Sequence, residues 1–204
     1  MKAKIISLFF TVCVMFVTLF AIPQAAMAQA VTDNILTVEE PLPNGTYSGV
    51  ANLRGWAVSI NGIEHIELLV DGTFKTNIPS GGLRTDVGDS FPTYPASDKS
   101  GFSMAYNYSD LSPGQHTFTL RAVDNRGNAT AKTIAVFTTH FDVPGNFLAD
   151  PEKVSLRGAT FGLGTNNDRS LFIRNMTVDG KTYTILLDWS TPSQGFSITQ
   201  ISSP

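Results

Sequence analysis

The residues of this sequence whose chemistry could be put to use are three histidines, two close pairs of acids, two tryptophans and one turn rich in Asp and Asn. A metal centre or a general base would draw on His65, His116 and His140. Zinc sites bring nitrogen and sulfur ligands together at short spacing, and none of these histidines has a His-x-His or cysteine neighbour. His65 shares the exposed strand parity of Glu67, His116 opens a strand, and His140 falls in a connecting stretch. Nucleophilic chemistry lacks its parts, because the single cysteine, Cys13, lies in an N-terminal apolar run and no Gly-x-Ser-x-Gly elbow occurs. Asp86 with Asp89, and Asp150 with Glu152, are the close carboxylate pairs that glycoside hydrolysis could employ. Sequence proximity does not set the carboxyl separation that this reaction needs, and both pairs fall at turns or connections. Asp124, Asn125 and Asn128 are hard oxygen donors suited to calcium but too few for a closed cage, so they read as a hairpin turn. These patterns point to no catalytic residue, no metal and no cofactor.

The tryptophans suit binding better than catalysis. Trp56 stands in a strand and is expected to fill space between two sheets, where an indole donates one hydrogen bond. Trp189 ends a strand just before Ser190-Thr191-Pro192-Ser193, so it is expected at the surface, with Tyr183 as a second candidate exposed aromatic.

Those residues need a frame, and the chain supplies it in strands. Lys2 and Lys4 precede an apolar run from Ile5 to Ile22, followed by Ala26-Met27-Ala28, which reads as an export signal over residues 1–28 with cleavage after Ala28. No membrane insertion is expected after its removal, and Cys13 lacks the setting for lipid attachment. About 176 residues then remain, enough for one domain with an appendage. The two lysines of the signal belong to the 14 basic residues, so the remainder, with 17 acidic ones, stands near −5. No basic patch is visible. Nucleic acid and anionic membrane surfaces are therefore excluded as partners.

From residue 33 onward, apolar residues alternate with polar ones between Gly, Asn, Asp and Pro clusters, the pattern of strands. Ile66, Leu68 and Val70 share a face that ends at the turn pair Asp71-Gly72. Phe102, Met104, Tyr106 and Tyr108 alternate likewise, as do Phe118, Leu120 and Ala122. About seven strands are expected across residues 33–138, the number a small two-sheet sandwich requires. Pro144-Gly145 and Asp150-Pro151 mark a linker over 139–151. Four more strands are expected beyond it, Val154 to Phe161, Leu171 to Val178, Thr182 to Trp189 and Gly195 to Ile201, with Asp179-Gly180 as a tight turn. So small a sheet has a marginal core when alone, and it is expected to pack on the first domain or on a partner.

Residues 44–130 resemble the bacterial immunoglobulin-like modules of secreted and surface-attached proteins. The likeness rests on Leu53-Arg54-Gly55-Trp56-Ala57, Ile66-Glu67-Leu68-Leu69-Val70-Asp71-Gly72 and Arg84-Thr85-Asp86-Val87. It continues through Phe91-Pro92-Thr93-Tyr94-Pro95, Ser100-Gly101-Phe102 and Gly114 to Asp124, and ends at Gly127-Asn128. The resemblance implies that the β-sandwich over 29–138 is immunoglobulin-like; together with the strand pattern it makes the expected fold all-β, this sandwich followed by a small C-terminal β segment over 152–204. It implies neither catalytic residues nor a cofactor. It also makes the four Asn-x-Ser/Thr sites at Asn44, Asn107, Asn128 and Asn175 idle, since these matter in a eukaryotic secretory route.

The long connection from Arg84 to Tyr94 has two possible roles. Arg84, Asp86, Phe91 and Tyr94 could form a recognition surface, because aromatic and arginine side chains offer large contact area. Alternatively they lock the loop, with Phe91 and Tyr94 packed on the sandwich and Arg84 neutralised by Asp86, Asp89 or Asp98. The breadth of the family's contexts favours the lock. The expected function is that of a secreted, periplasmic or cell-surface protein that binds an extracellular polymer or protein, supports adhesion, or acts as a spacer. A non-catalytic carbohydrate-binding protein is the alternative, and a small secreted hydrolase a more distant one.

Overall fold

The computed structural model describes residues 33–164 and 168–204, so the export signal read over 1–28 lies outside the described residues. The described chain is all-β. Its strands are β1 (Asn34–Glu40), β2 (Thr46–Tyr47), β3 (Val50–Ser59), β4 (Ile63–Val70), β5 (Thr73–Ile78), β6 (Ser80–Gly82), β7 (Gly101–Asn107), β8 (Gly114–Asp124) and β9 (Ala129–Thr138). They continue as β10 (Val154–Ser155), β11 (Thr160–Leu163), β12 (Ser170–Val178), β13 (Lys181–Ser190) and β14 (Gly195–Ser202). A single α-helix among the described residues, α1 (Thr85–Ser90), interrupts them. No helix of the described residues is long and apolar enough to cross a membrane.

The first sheet has the order β1-β3-β7-β6, and the second β2-β9-β8-β4-β5. All neighbours in both are antiparallel except β2, which runs parallel to β9. Period-two alternation accounts for their shared core. Leu53 and Ala57 of β3 and Phe102 of β7 meet Ile66, Leu68 and Val70 of β4 and Phe118, Leu120 and Ala122 of β8, all buried in one cluster. Burying each large apolar side chain of this kind contributes roughly 1.5–3 kcal/mol. Tyr108 extends the cluster as an aromatic stack, its ring 4.6 Å from Tyr47 and 5.4 Å from Phe118. β2 and β6 are too short to show an alternation, which is why the sequence pattern suggests fewer strands here.

Trp56 is not between the sheets, contrary to expectation. Gly55 takes the inward position, where a Cβ would lie 2.6 Å from Cζ of Phe102 and 2.0 Å from the Thr37 carbonyl oxygen. The next residue must then point outward, and Trp56 is only partly buried, with its ring 5.5 Å from that of Phe91.

The third sheet runs β10-β12-β13-β14, with β11 also paired to β12. A turn around Gly158 divides the strand expected over Val154 to Phe161 into β10 and β11. Asp179 and Gly180 both have positive φ, 47° and 79°, and close the β12–β13 hairpin; only a residue tolerant of the left-handed region, glycine above all, sits there without strain. Met176, Val178, Tyr183 and Ile185 form a second core on one face. The connecting stretch read as a linker covers that face, since Val143 is buried in this core and Phe141 and Leu148 pack against it. Lys181 fastens the connection by donating from Nζ to the Asp142 carbonyl, 2.9 Å, and pairing with its carboxylate, 2.6 Å.

Candidate functional site

The loop after β6 brings together the four residues singled out in it. The guanidinium of Arg84 donates Nε and Nη2 to the two carboxylate oxygens of Asp86 at 2.9 and 2.8 Å, and Nη1 lies 2.9 Å from Oε1 of Glu39 in β1. Such a two-pronged pair is directional as well as ionic. The hydrogen bonds from Arg84 hold the Asp86 carboxyl down at about 2. Asp89 and Asp98 are not the ion-pair partners of Arg84; Asp98 instead accepts the Arg84 backbone N–H through its carbonyl, at 2.7 Å. The chain then folds into α1, which buries Val87, and the ring of Phe91 stands between Trp56 and Tyr94, 5.6 Å from the latter. Thus Arg84, Asp86, Phe91 and Tyr94 contact one another or the outer face of the first sheet.

Tyr183 and Trp189 separate. Tyr183 is 3% exposed, T-shaped against Phe141, which corrects its assignment as a surface aromatic. The parity of β13 places it with Ile185 on the covered face. Trp189, six residues on and on the same face, lies beyond the cover and is 43% exposed. Its ring is 5.5 Å from that of Phe196, across the β13–β14 pair and nearly perpendicular at 82°. Phe161 and Leu163 of β11 pair in register with Ile173 and Leu171, so they continue this apolar face, and both are exposed.

A cleft of about 820 Å³ opens beside Trp189. One wall comes from Tyr47, Asn52 and Arg54, the other from Asp188, Trp189 and Thr199. Asn52 and Arg54 are outward-facing residues of β3, alternating with buried Leu53. Nε of Arg54 lies 3.5 Å from Oε2 of Glu40. Asp188 accepts hydrogen bonds from the hydroxyls of Ser170 and Thr199, the latter at 2.7 Å. The Tyr47 hydroxyl accepts the Leu42 N–H at 2.7 Å, and burial pushes its phenol above the ordinary value. Apart from Trp189, sequence reasoning missed this group. Its members come from strands far apart in the chain and share no motif; the exposed parity of Asn52 and Arg54 is the only local signal.

The histidines stay apart. Nε2 of His65 is 3.2 Å from Glu67, while Nδ1 of His140 is 3.1 Å from the Phe141 carbonyl. His116 bridges two turns, with Nδ1 2.7 Å from the Asp71 carboxylate and Nε2 2.8 Å from the Ser112 carbonyl. No group of three or more His, Cys, Asp or Glu among the described residues is placed to hold a metal ion. Asp124 is fully buried and spends its oxygens on the turn, accepting from the backbone N–H groups of Arg126 and Asn128 and from Nδ2 of Asn61 at 2.9, 2.8 and 2.8 Å. Burial alone would raise its pKa, but these donors and the Asn128 amide hold it well below the ordinary carboxylate value.

No family model matches the chain, and no curated protein matches it. Among solved structures, an endo-β-1,4-mannanase from Thermotoga petrophila aligns with 55% of this chain and 21% of its own at 10% identity and a TM-score of 0.39. Fibronectin(III)-like modules of Clostridium thermocellum CbhA align over 52% of this chain and 96% of theirs, at 14% identity and 0.32. Dimeric latent PorU from Porphyromonas gingivalis aligns over 83% of this chain and 19% of its own, at 13% identity and 0.34. At such identities and scores these likenesses assign no activity.

Proposed function

We propose that the chain is a secreted, periplasmic or cell-surface protein that binds rather than catalyses, built on an immunoglobulin-like module, and that its contact surface is the open end of the third sheet. The strand order supports the module: β1-β3-β7-β6 and β9-β8-β4 follow the A-B-E-D and G-F-C order of such sandwiches, with β2 and β5 added at the edges of the second sheet. The loop carrying Arg84, Asp86, Phe91 and Tyr94 is then a lock, because its side chains are occupied by one another and by β1 and β3.

The observation that carries the binding role is the exposure of Trp189 and Phe196 at the uncovered end of an otherwise buried apolar face. Rigid aromatic side chains give contact energy at small entropic cost, and contiguous exposed apolar surface marks interaction sites. The carboxylates at the cleft support a non-catalytic role, since Glu40 faces Arg54 and Asp188 is engaged by two hydroxyls. Purified protein lacking residues 1–28 is expected to bind weakly to an extracellular polymer or matrix protein on arrays while turning over no glycan, ester or peptide. Turnover abolished by one acid or histidine substitution would overturn this, and silence on every array would leave a spacer as the better account.

A further inference from the structure

We infer that β11 is an edge at which a second copy of this chain adds its own β11, antiparallel, so that one sheet runs across a two-fold axis. The hydrogen-bond parity of the strand fixes which groups it offers. Gly164 donates its N–H to the Ser170 carbonyl at 2.8 Å, while the preceding Arg169 carbonyl is turned to β13 and accepts the Trp189 N–H at 2.9 Å. Antiparallel ladders alternate residue by residue. The N–H and C=O groups of Thr160 and Gly162 therefore face β12, and those of Phe161 and Leu163 face away from it. No strand pairs with that outer side among the described residues. Thr160, Phe161 and Leu163 are exposed, the last two at 62% and 70%.

The same parity dictates the partner. With Gly162 on the two-fold axis, Phe161 of each copy stands opposite Leu163 of the other, in the position where a pair exchanges both of its N–H···O=C bonds. The two apolar side chains then meet across the new pair on one face of the sheet, and Gly162 adds no side chain at the axis. The strand Thr160-Phe161-Gly162-Leu163 carries no charge, so a copy of it meets no like charge. Other edges of the molecule are defended against such pairing. β1 ends in Glu39 and Glu40 with a register shift between Val38 and Glu40, β5 presents Lys75, and β6 is irregular against β7 between Ser80 and Gly82. β11 keeps an unbroken register with β12 and has no lysine, acid, proline or bulge. A contact so short belongs with the weak interfaces, below about 1,200 Å² in total. It is independent of the binding role above, since Trp189 and Phe196 stand on β13 and β14, on the other side of β12 from this edge. Pairing would carry two such surfaces on one particle and so raise avidity.

The test is sedimentation velocity of the protein lacking residues 1–28 over a range of concentrations, where a monomer in exchange with a dimer is expected. Leu163→Pro removes an outward N–H while sparing the ladder to β12, and Phe161→Lys puts a charge beside the axis. Each should weaken the dimer by about tenfold or more. Circular dichroism establishes that each variant is folded, and Phe161→Lys serves as the second arm if Leu163→Pro is not. Cysteines check the register, because the chain beyond residue 28 has none of its own. Oxidation of Phe161→Cys combined with Leu163→Cys should give a covalent dimer at concentrations where Thr85→Cys, on the far loop, stays monomeric. A monomer at every concentration, a dimer that neither edge variant weakens, or no covalent dimer from the double-cysteine chain would overturn the inference. A dimer released by Trp189→Ala but not by the edge variants would move the contact to the open apolar face and overturn it equally.

Discussion

Phe118 in β8 and Ile185 in β13 occupy similar positions, each a buried apolar residue at the middle of a central strand, yet their surroundings differ. Phe118 is roofed by a second sheet, its ring 5.2 Å from Tyr106 and 5.4 Å from Tyr108. Ile185 is roofed by a connecting stretch through Phe141, Val143 and Leu148, and along the same strand the apolar row passes through partly buried Leu187 to exposed Trp189. A sheet covers its partner along its whole length, whereas a single strap covers only what lies beneath it. The face shared by the first two sheets is thus sealed, whereas the covered face of the third sheet runs out into exposed apolar surface at one end.

That contrast is sharpest in truncation. Phe118→Ala should cost about 3–5 kcal/mol in urea unfolding, since a sealed site cannot collapse around the missing ring. Ile185→Ala should fall near the lower end of its class, about 2 kcal/mol, because the strap can settle into the space. Equal costs would show that the third sheet is as rigidly closed as the first core.

A smaller effect is expected at the loop. Arg84→Ala removes the two-pronged pair with Asp86 and the contact with Glu39, and should lower stability by about 1–2 kcal/mol in thermal unfolding without altering binding at Trp189. Arg84→Lys should recover only part of the loss, because an ammonium cannot reproduce the fork. Binding lost along with Arg84 would move recognition to the loop and erase the division between a stable region and a binding one.

The smallest effect depends on pH. Burial alone would lower the His116 pKa, but its hydrogen bond to Asp71 and its contact with the Ser112 carbonyl raise it above the ordinary value. The hydrogen bond from His116, helped by the Thr117 N–H, lowers that of Asp71. The raised imidazole contributes stability that is full below its unfolded pKa of about 6.5 and fades as pH rises through the folded value. The lowered carboxylate contributes above its unfolded pKa and loses this as pH falls through its folded value. Parent and His116→Gln should therefore differ most near pH 5, by about one or two degrees in melting temperature, and converge at alkaline pH. A gap that widens with pH would reverse the assignment.

Local signals carry most of the fold. Alternation places Phe118, Leu120 and Ala122 inward, and Asp71-Gly72 and Asp179-Gly180 form the turns their φ values demand, both residues of each pair being positive. What local pattern leaves open is which face of a strand a distant segment will cover. The alternation of β13 groups Tyr183 with Trp189, but only the packing of residues 141–148 decides that one is buried and the other exposed. Trp56 turns outward for a similar reason, the crowding of Gly55 by Phe102 and Thr37. The cleft is illegible in the sequence because Asn52 and Asp188 come to line one cavity only when β14 packs against β2. α1 is too short for a helical stripe to register.

The strap also fixes where the third sheet can be cut from its host. Val143 stands upstream of Pro151, yet it is part of the sheet's core, and the Asp142 carbonyl accepts the Lys181 ammonium. A gene fragment beginning at residue 152 would encode a sheet with its roof left behind. Recombination that moved this cassette intact would have to begin ahead of Phe141, inside what composition marks as disposable connector.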